Sequence, residues 1–207
     1  MANRDAPPAP RALRGEALAP GMRVGLFGGT FDPPHDGHLH VARTAMRRMR
    51  LHRVWWLVSP QNPLKTRRAG GFLQRFAETQ ALADEPGMIV SDIESRLGVN
   101  RTIDLVAALR RRHPGVHFVW IMGADNLGSF HRWHRWRDLM ASLPVAVIAR
   151  PTDSLRARLA PAAREFARSR IPDRRAHALP VSAAPAWTYL NERLNSTSST
   201  ALRASQS

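Results

Sequence analysis

The stretch "MRVGLFGGTFDPPHDGHLHVARTAM", Met22 to Met46, decides the fold. Met22 to Phe27 is short, largely apolar and runs into glycine, the pattern of a buried strand. From Gly37 onward Leu39, Val41, Ala42, Ala45, Met46 and Met49 recur at three and four residues, the period of an amphipathic helix beginning near Asp36 or Gly37. Between them lies a turn with paired glycines, paired prolines and two histidines three residues apart. A strand that passes through a glycine turn into a helix is the first half of a strand–helix–strand crossover.

The same alternation continues outward. "RVWWLVSP" (Arg53 to Pro60) predicts a second strand, stopped by proline, and "QNPLKTRRAGG" a loop. Phe72 to Ala83 predicts a helix, and "GMIVSD" a third strand. Thr102 to Arg112 predicts a helix with Thr102 as its N-cap. Val116 to Gly123 and Pro144 to Arg150 predict a fourth and a fifth strand. The strands are almost continuously apolar, as parallel strands covered on both faces are. The expected fold is therefore α/β: a Rossmann-like, doubly wound parallel sheet of about five or six strands with helices on both faces. Ligands of such sheets bind beyond the carboxyl ends of the strands. The glycine turn lies there, after strand one, and "GADN" lies on the same edge after strand four. Ser154 to Arg170, rich in Arg and Ala, predicts an exposed helix.

The chain has 207 residues, 43% of them hydrophobic, which suits one sizeable core. Residues 1–21 read as a disordered leader and 22–207 as a single domain. There is no cysteine, so disulfides, thiolate metal sites and cysteine nucleophiles are excluded. No apolar run approaches the roughly 18 residues that span a bilayer, and no signal-peptide core is present, so no membrane role and a cytoplasmic location are expected. The formal net charge is +15, yet Lys65 is the sole lysine and the arginines are scattered. That skew fits codon bias better than a nucleic-acid surface; a positive cleft for an anionic small molecule uses the charge equally well.

At the turn, Gly28 and Gly29 let backbone amides approach a ligand, and the following helix points its positive end at the same place. Together they form an anion site, most simply one for phosphate. Neither the Walker pattern nor G-x-G-x-x-G fits the spacing. His35 and His38 leave three readings at this point. The first is a turn cap and a surface residue, the second a pair of metal ligands, and the third two hydrogen-bond donors to phosphate. The glycine turn and helix end favour the third.

"GGTFDPPHDGH" resembles the signature of the H-x-G-H nucleotidyltransferases, and most closely that of the nicotinate-nucleotide adenylyltransferase family. "STSSTALR" near the end is similar to the family motif I-S-S-T-x-[IL]-R, with Thr197 where isoleucine is usual. The resemblance implies transfer of the adenylyl group of ATP to nicotinate mononucleotide, with magnesium on the phosphates as cofactor and no protein-held metal. It implies that Gly28, Gly29, Thr30, Phe31, His35, His38, Ser199, Thr200 and Arg203 bind ATP. By the same resemblance His35, His38 and Arg203 are expected to carry the catalysis, and Gly123 and Asp125 to face the ribose. Asp32, Lys65, Thr102 and Trp133 are likewise implied to serve the mononucleotide, with Trp133 stacked on its pyridine ring. In "NRTIDLV" Arg101 replaces the family's usual aromatic. Asp125 as a helix N-cap and Trp136 as a core residue are the structural alternatives. Other acceptors, nicotinamide mononucleotide or phosphopantetheine, and a non-catalytic nucleotide- or RNA-binding module remain as rivals.

Overall fold

The computed structural model describes residues 17–60, 70–149 and 159–191. Strand β1 (Arg23–Gly29) is followed by helix α1 (Asp36–Met49), and β2 (Arg53–Val58) by α2 (Phe72–Leu82). Strand β3 (Met88–Ser91) leads into the short α3 (Ile93–Leu97) and then α4 (Thr102–Arg112). Strand β4 (His117–Gly123) leads into α5 (Ala124–Phe130) and α6 (Trp136–Ser142), and β5 (Val145–Ala149) follows. The chain closes with α7 (Pro161–Glu165), β6 (Arg170–Ile171), a kinked 3-10 segment (Asp173–Val181) and β7 (Trp187–Asn191).

All strands pair parallel, in the order β3-β2-β1-β4-β5-β7-β6. The doubly wound expectation holds, with seven strands rather than five or six. The two additional ones, β6 and β7, follow irregular backbone instead of a long crossover helix, so the strand–helix alternation that marks the others is missing there. The order reverses between β1 and β4, which makes their carboxyl ends the switch point where such sheets bind ligands.

The sheet separates two apolar layers. On one face α1, α2 and the 3-10 segment bury Leu39, Val41, Ala45, Met49, Phe76 and Leu179 against Phe27, Trp56 and Ile121. On the other, α4 to α7 bury Ile103, Leu109, Phe130, Trp136, Leu139 and Ala162 against Leu26, Trp55 and Trp120. Helix α1 ends at Arg50, which takes the left-handed conformation and returns its amide to Arg47 and Met46.

Two expectations are corrected here. Residues 159–170 do not form an exposed helix: α7 is a single turn with Ala162 and Ala163 buried, followed by a 3-10 turn over Ala167–Ser169. Residues 154–158 lie outside the described set. The N-cap position of α4 is Arg101, with Thr102 already inside the first turn and no side-chain cap bond. Residues 1–16 of the expected leader lie outside the described residues, and residues 17–21 join the domain. Leu18 packs on the core, and the Gly21 amide donates to the Gly115 carbonyl at 2.8 Å. Among the described residues no helix is long and apolar enough to cross a membrane.

Candidate active site

The turn after β1 is fixed from inside. Phe31 takes a left-handed backbone (φ 46°), a costly choice for a bulky residue, on the order of 1–2 kcal/mol. Its ring offsets this by burial: it packs edge-on to Phe27 at 5.4 Å and to His38 at 5.1 Å, and beside Trp56 at 5.2 Å. What Phe31 can offer a nucleotide is therefore its backbone.

The paired glycines have a packing cause. A Cβ on Gly28 would stand 2.6 Å from the ring of Trp120, and one on Gly29 would stand 3.0 Å from the ring of Phe31. Both residues lie within β1, and each leaves room for an aromatic that shapes the site.

His35 occupies the N-cap of α1 and His38 the third helical position. The Nδ1 of His35 accepts the Gly37 amide at 3.1 Å, and the Nδ1 of His38 accepts the His35 amide at 3.2 Å. This is a reciprocal capping box built from two imidazoles. The rings lie 3.9 Å apart, centroid to centroid. A neutral imidazole that accepts at Nδ1 carries its proton on Nε2. The cap thus sets the tautomer of both rings as Nε2–H donors, beside the amides at the positive end of α1. The cap reading and the phosphate-donor reading, alternatives in the sequence, use different nitrogens and are compatible. Among the described residues no group of three His, Asp or Glu side chains is arranged to hold a metal ion.

Across the switch point β4 ends at Gly123, the N-cap position of α5. Asp125 is therefore not the cap; it stands exposed in the first turn of α5, on the same sheet edge as the histidine turn. Trp133, in the loop between α5 and α6, is half-buried. Its ring is edge-on to Trp120 at 6.0 Å and to Phe130 at 5.2 Å. Trp136 is the core residue of the pair, buried between Phe130 and Phe166. Trp120 links the two sides, since its ring covers Gly28 and also props Trp133. Thr102 opens α4, whose Ile103 joins the same apolar layer as Trp133. The site therefore straddles the sheet edge, with the histidine turn on one layer and Trp133 and Thr102 on the other. Lys65, Ser199, Thr200 and Arg203 lie outside the described residues.

The sequence did not flag two buried charged residues at this edge. Arg75, on α2, is 2% exposed. The arginine sits between Phe72, Phe76 and Thr79 on what is otherwise an apolar helix face, a signal readable from the spacing. Glu94 follows β3 and is also buried. Burial pushes its carboxyl up to about 7, opposed by a hydrogen bond from the Ser59 side chain just beyond β2. Its neighbour Asp92 is 1% exposed and accepts from Arg96 Nε at 2.7 Å.

A family model described as Cytidylyltransferase-like matches residues 26–205. A "Probable nicotinate-nucleotide adenylyltransferase" of Caulobacter sp. (strain K31) is 56% identical over 186 residues, covering 89% of this chain and 98% of that protein. A protein of the same name from Roseobacter denitrificans (strain ATCC 33942 / OCh 114) is 47% identical over 194 residues, covering 94% of each. Among solved structures, Plasmodium falciparum nicotinic acid mononucleotide adenylyltransferase complexed with NaAD aligns with a TM-score of 0.65 at 16% identity. That alignment covers 84% of this chain and 77% of the other, and is a likeness of fold.

Proposed function

The chain belongs to the cytidylyltransferase-like family and to the nicotinate-nucleotide adenylyltransferases, and from that premise we propose that it transfers the adenylyl group of ATP to nicotinate mononucleotide, releasing pyrophosphate and forming deamido-NAD. It is a nucleotidyltransferase of NAD biosynthesis, acting in the cytoplasm on small-molecule substrates. The observation that carries the chemistry is the histidine capping box at the switch point of a doubly wound sheet: both imidazoles accept backbone amides at Nδ1, which assigns the proton of the neutral rings to Nε2.

The nucleophile is the phosphate monoester of the mononucleotide, with a second pKa of about 6, so most of it is ionised at neutral pH. No general base is needed. The work left for the protein is in-line placement of that oxygen against the α-phosphorus and neutralisation of charge on the leaving pyrophosphate. His35 and His38 donate from Nε2 to the phosphate oxygens, along with the backbone amides of the turn from Gly28 to Phe31. Ser199, Thr200 and Arg203 hold the departing side, and Gly123 and Asp125 take the ribose. Trp133 stacks on the pyridine ring, Thr102 meets its carboxylate, and Asp32 and Lys65 serve the acceptor side. The donor set at the turn is imidazole and amide rather than a carboxylate cage, which fits magnesium entering on the phosphates with its waters. When bound there, the ion supplies further neutralisation of phosphate charge.

The test is pyrophosphate release from ATP and magnesium with each acceptor supplied separately. Nicotinate mononucleotide is expected to give the highest kcat/KM. Faster release with nicotinamide mononucleotide or phosphopantetheine overturns the acceptor assignment. Absence of release with all three leaves a non-catalytic nucleotide-binding module.

A further inference from the structure

Arg75 is an expensive residue to bury, and among the described residues no carboxylate makes a direct ion pair with its guanidinium. It spends its N–H groups on backbone instead. Nη1 donates to the Thr30 carbonyl at 2.5 Å and to the Ser59 carbonyl at 3.0 Å. Nη2 donates to the Pro60 carbonyl at 3.0 Å, and Nε to the Gly70 carbonyl at 2.9 Å. These four carbonyls come from three places: the histidine turn after β1, the chain leaving β2, and Gly70, two residues before α2 begins. Asp32, in the histidine turn, closes the ring. Its carboxylate accepts the Gly70 amide at 3.3 Å and supplies the nearest compensating charge to Arg75. The Ser59 amide also donates to the Gly29 carbonyl at 2.9 Å, continuing the β1–β2 ladder to the junction that Arg75 fills.

A buried charge is a poor device for stability alone, because an apolar side chain of similar volume avoids the desolvation. What a guanidinium adds is a rigid, planar fork that fixes several acceptors relative to one another. Here the acceptors belong to the nucleotide turn and to the Ser59–Pro60 stretch. The inference rests on the proposed function, which assigns the turn to ATP and, on the acceptor side, Asp32 of that turn and Lys65, five residues past Pro60 in the sequence. We propose that Arg75 is a positioning residue for adenylyl transfer: its fork holds the histidine turn and the backbone leaving β2 in one arrangement, so that nucleophile and α-phosphorus meet in line. Arg75 touches neither substrate in this role. Each half of the site keeps its own binding groups without it, because His35 and His38 are fixed by the cap of α1 and Trp133 by Trp120.

The expected signature is a split between kcat and KM. Arg75→Ala lowers kcat per folded molecule by about tenfold or more, the scale of a misplacement near 1 Å, while both KM values stay within about threefold. Arg75→Lys keeps charge and length but lacks the fork, and recovers part of the loss. Millimolar guanidinium raises kcat of Arg75→Ala and leaves the wild type unchanged. Folded fraction is measured by circular dichroism, and where Arg75→Ala does not fold, Arg75→Lys carries the test with the same split. An unchanged kcat per folded molecule in the folded variant overturns the proposal. So does a loss carried by KM alone. Amide hydrogen exchange separates this from failure of the functional reading. In the variant, the Ser59 amide is expected to exchange at least about tenfold faster, with the α4 amides unchanged. If the wild type releases no pyrophosphate, the reaction assignment fails, and unaltered protection at Ser59 overturns the positioning role by itself.

Discussion

Replacing Glu94 by glutamine should make the protein more stable in mild alkali and leave it unchanged in acid, the reverse of the behaviour of a salt-bridged carboxylate. The buried carboxyl is raised from an ordinary value of 4.5 to about 7 by desolvation, the Ser59 hydrogen bond only partly opposing the shift. Below pH 4.5 the group is protonated in both the folded and the unfolded chain and contributes no pH dependence. Between about 4.5 and 7 the unfolded chain has released its proton and the folded chain has not, so stability falls as pH rises. Above 7 both states are ionised and the full cost is present. A displacement of about 2.5 units at about 1.4 kcal/mol per unit gives about 3 kcal/mol. Glutamine mimics the protonated carboxyl and can still accept from the Ser59 hydroxyl. Urea unfolding of both proteins at pH 4.5, 6 and 8 measures the effect, and the other titrating groups cancel in the difference. The expected gap is near zero at pH 4.5 and about 3 kcal/mol in favour of Glu94→Gln at pH 8. A gap independent of pH, or a wild type that is the more stable at pH 8, refutes the reasoning.

The histidine cap allows its two functions to be separated. His38→Asn places an amide oxygen where Nδ1 accepts the His35 amide but removes the Nε2–H; thermal stability should stay near wild type while turnover falls about 100-fold or more, read by pyrophosphate release. Trp133→Ala should raise the KM for the mononucleotide about tenfold, with the KM for ATP unchanged; a weakening confined to ATP would remove Trp133 from the acceptor subsite. Gly28→Ala forces a methyl into the ring of Trp120 and should lower stability by about 1–3 kcal/mol in a thermal melt, with the Trp133 fluorescence environment altered in step.

What could be read from the sequence follows from which interactions are local. β1 to β5 and helices α1, α2 and α4 carry their own periodicity, and their expected bounds agree with the structure to within a residue or two. β7 is as apolar as the others, with Trp187, Tyr189 and Leu190 buried, but what precedes it is a 3-10 segment broken at Arg175 and carrying Pro180. Pattern reasoning that expects a helix before each strand passes over it. The N-cap of α4 was misplaced by one residue because the Thr102 hydroxyl looks like a cap in sequence; only the extended backbone at Arg101 shows where the helix begins. The histidines were legible as a pair, yet the assignment of Nδ1 to backbone depends on the turn geometry that Phe31 imposes. Arg75 and Glu94 were the hardest to place, since their partners at Thr30 and Ser59 lie 45 and 35 positions away in the chain.

A base–nucleophile pair requires two side chains held to each other, whereas adenylyl transfer onto an ionised phosphate requires two anions held side by side. The fold meets that demand at one place, the ends of β1 and β4, where the order of strands reverses. On one side, a helix start uses two Nδ1 atoms to close its own cap, leaving the Nε2–H groups set as donors. On the other, Trp120 fills the space that Gly28 leaves and props Trp133 at the opposite layer. Had either glycine of the pair carried a side chain, Trp120 or Phe31 would be displaced, and the histidine turn and Trp133 would move relative to each other. Gly28 and Gly29 therefore act as spacers between the two halves, a role separate from the phosphate contact proposed for their backbone.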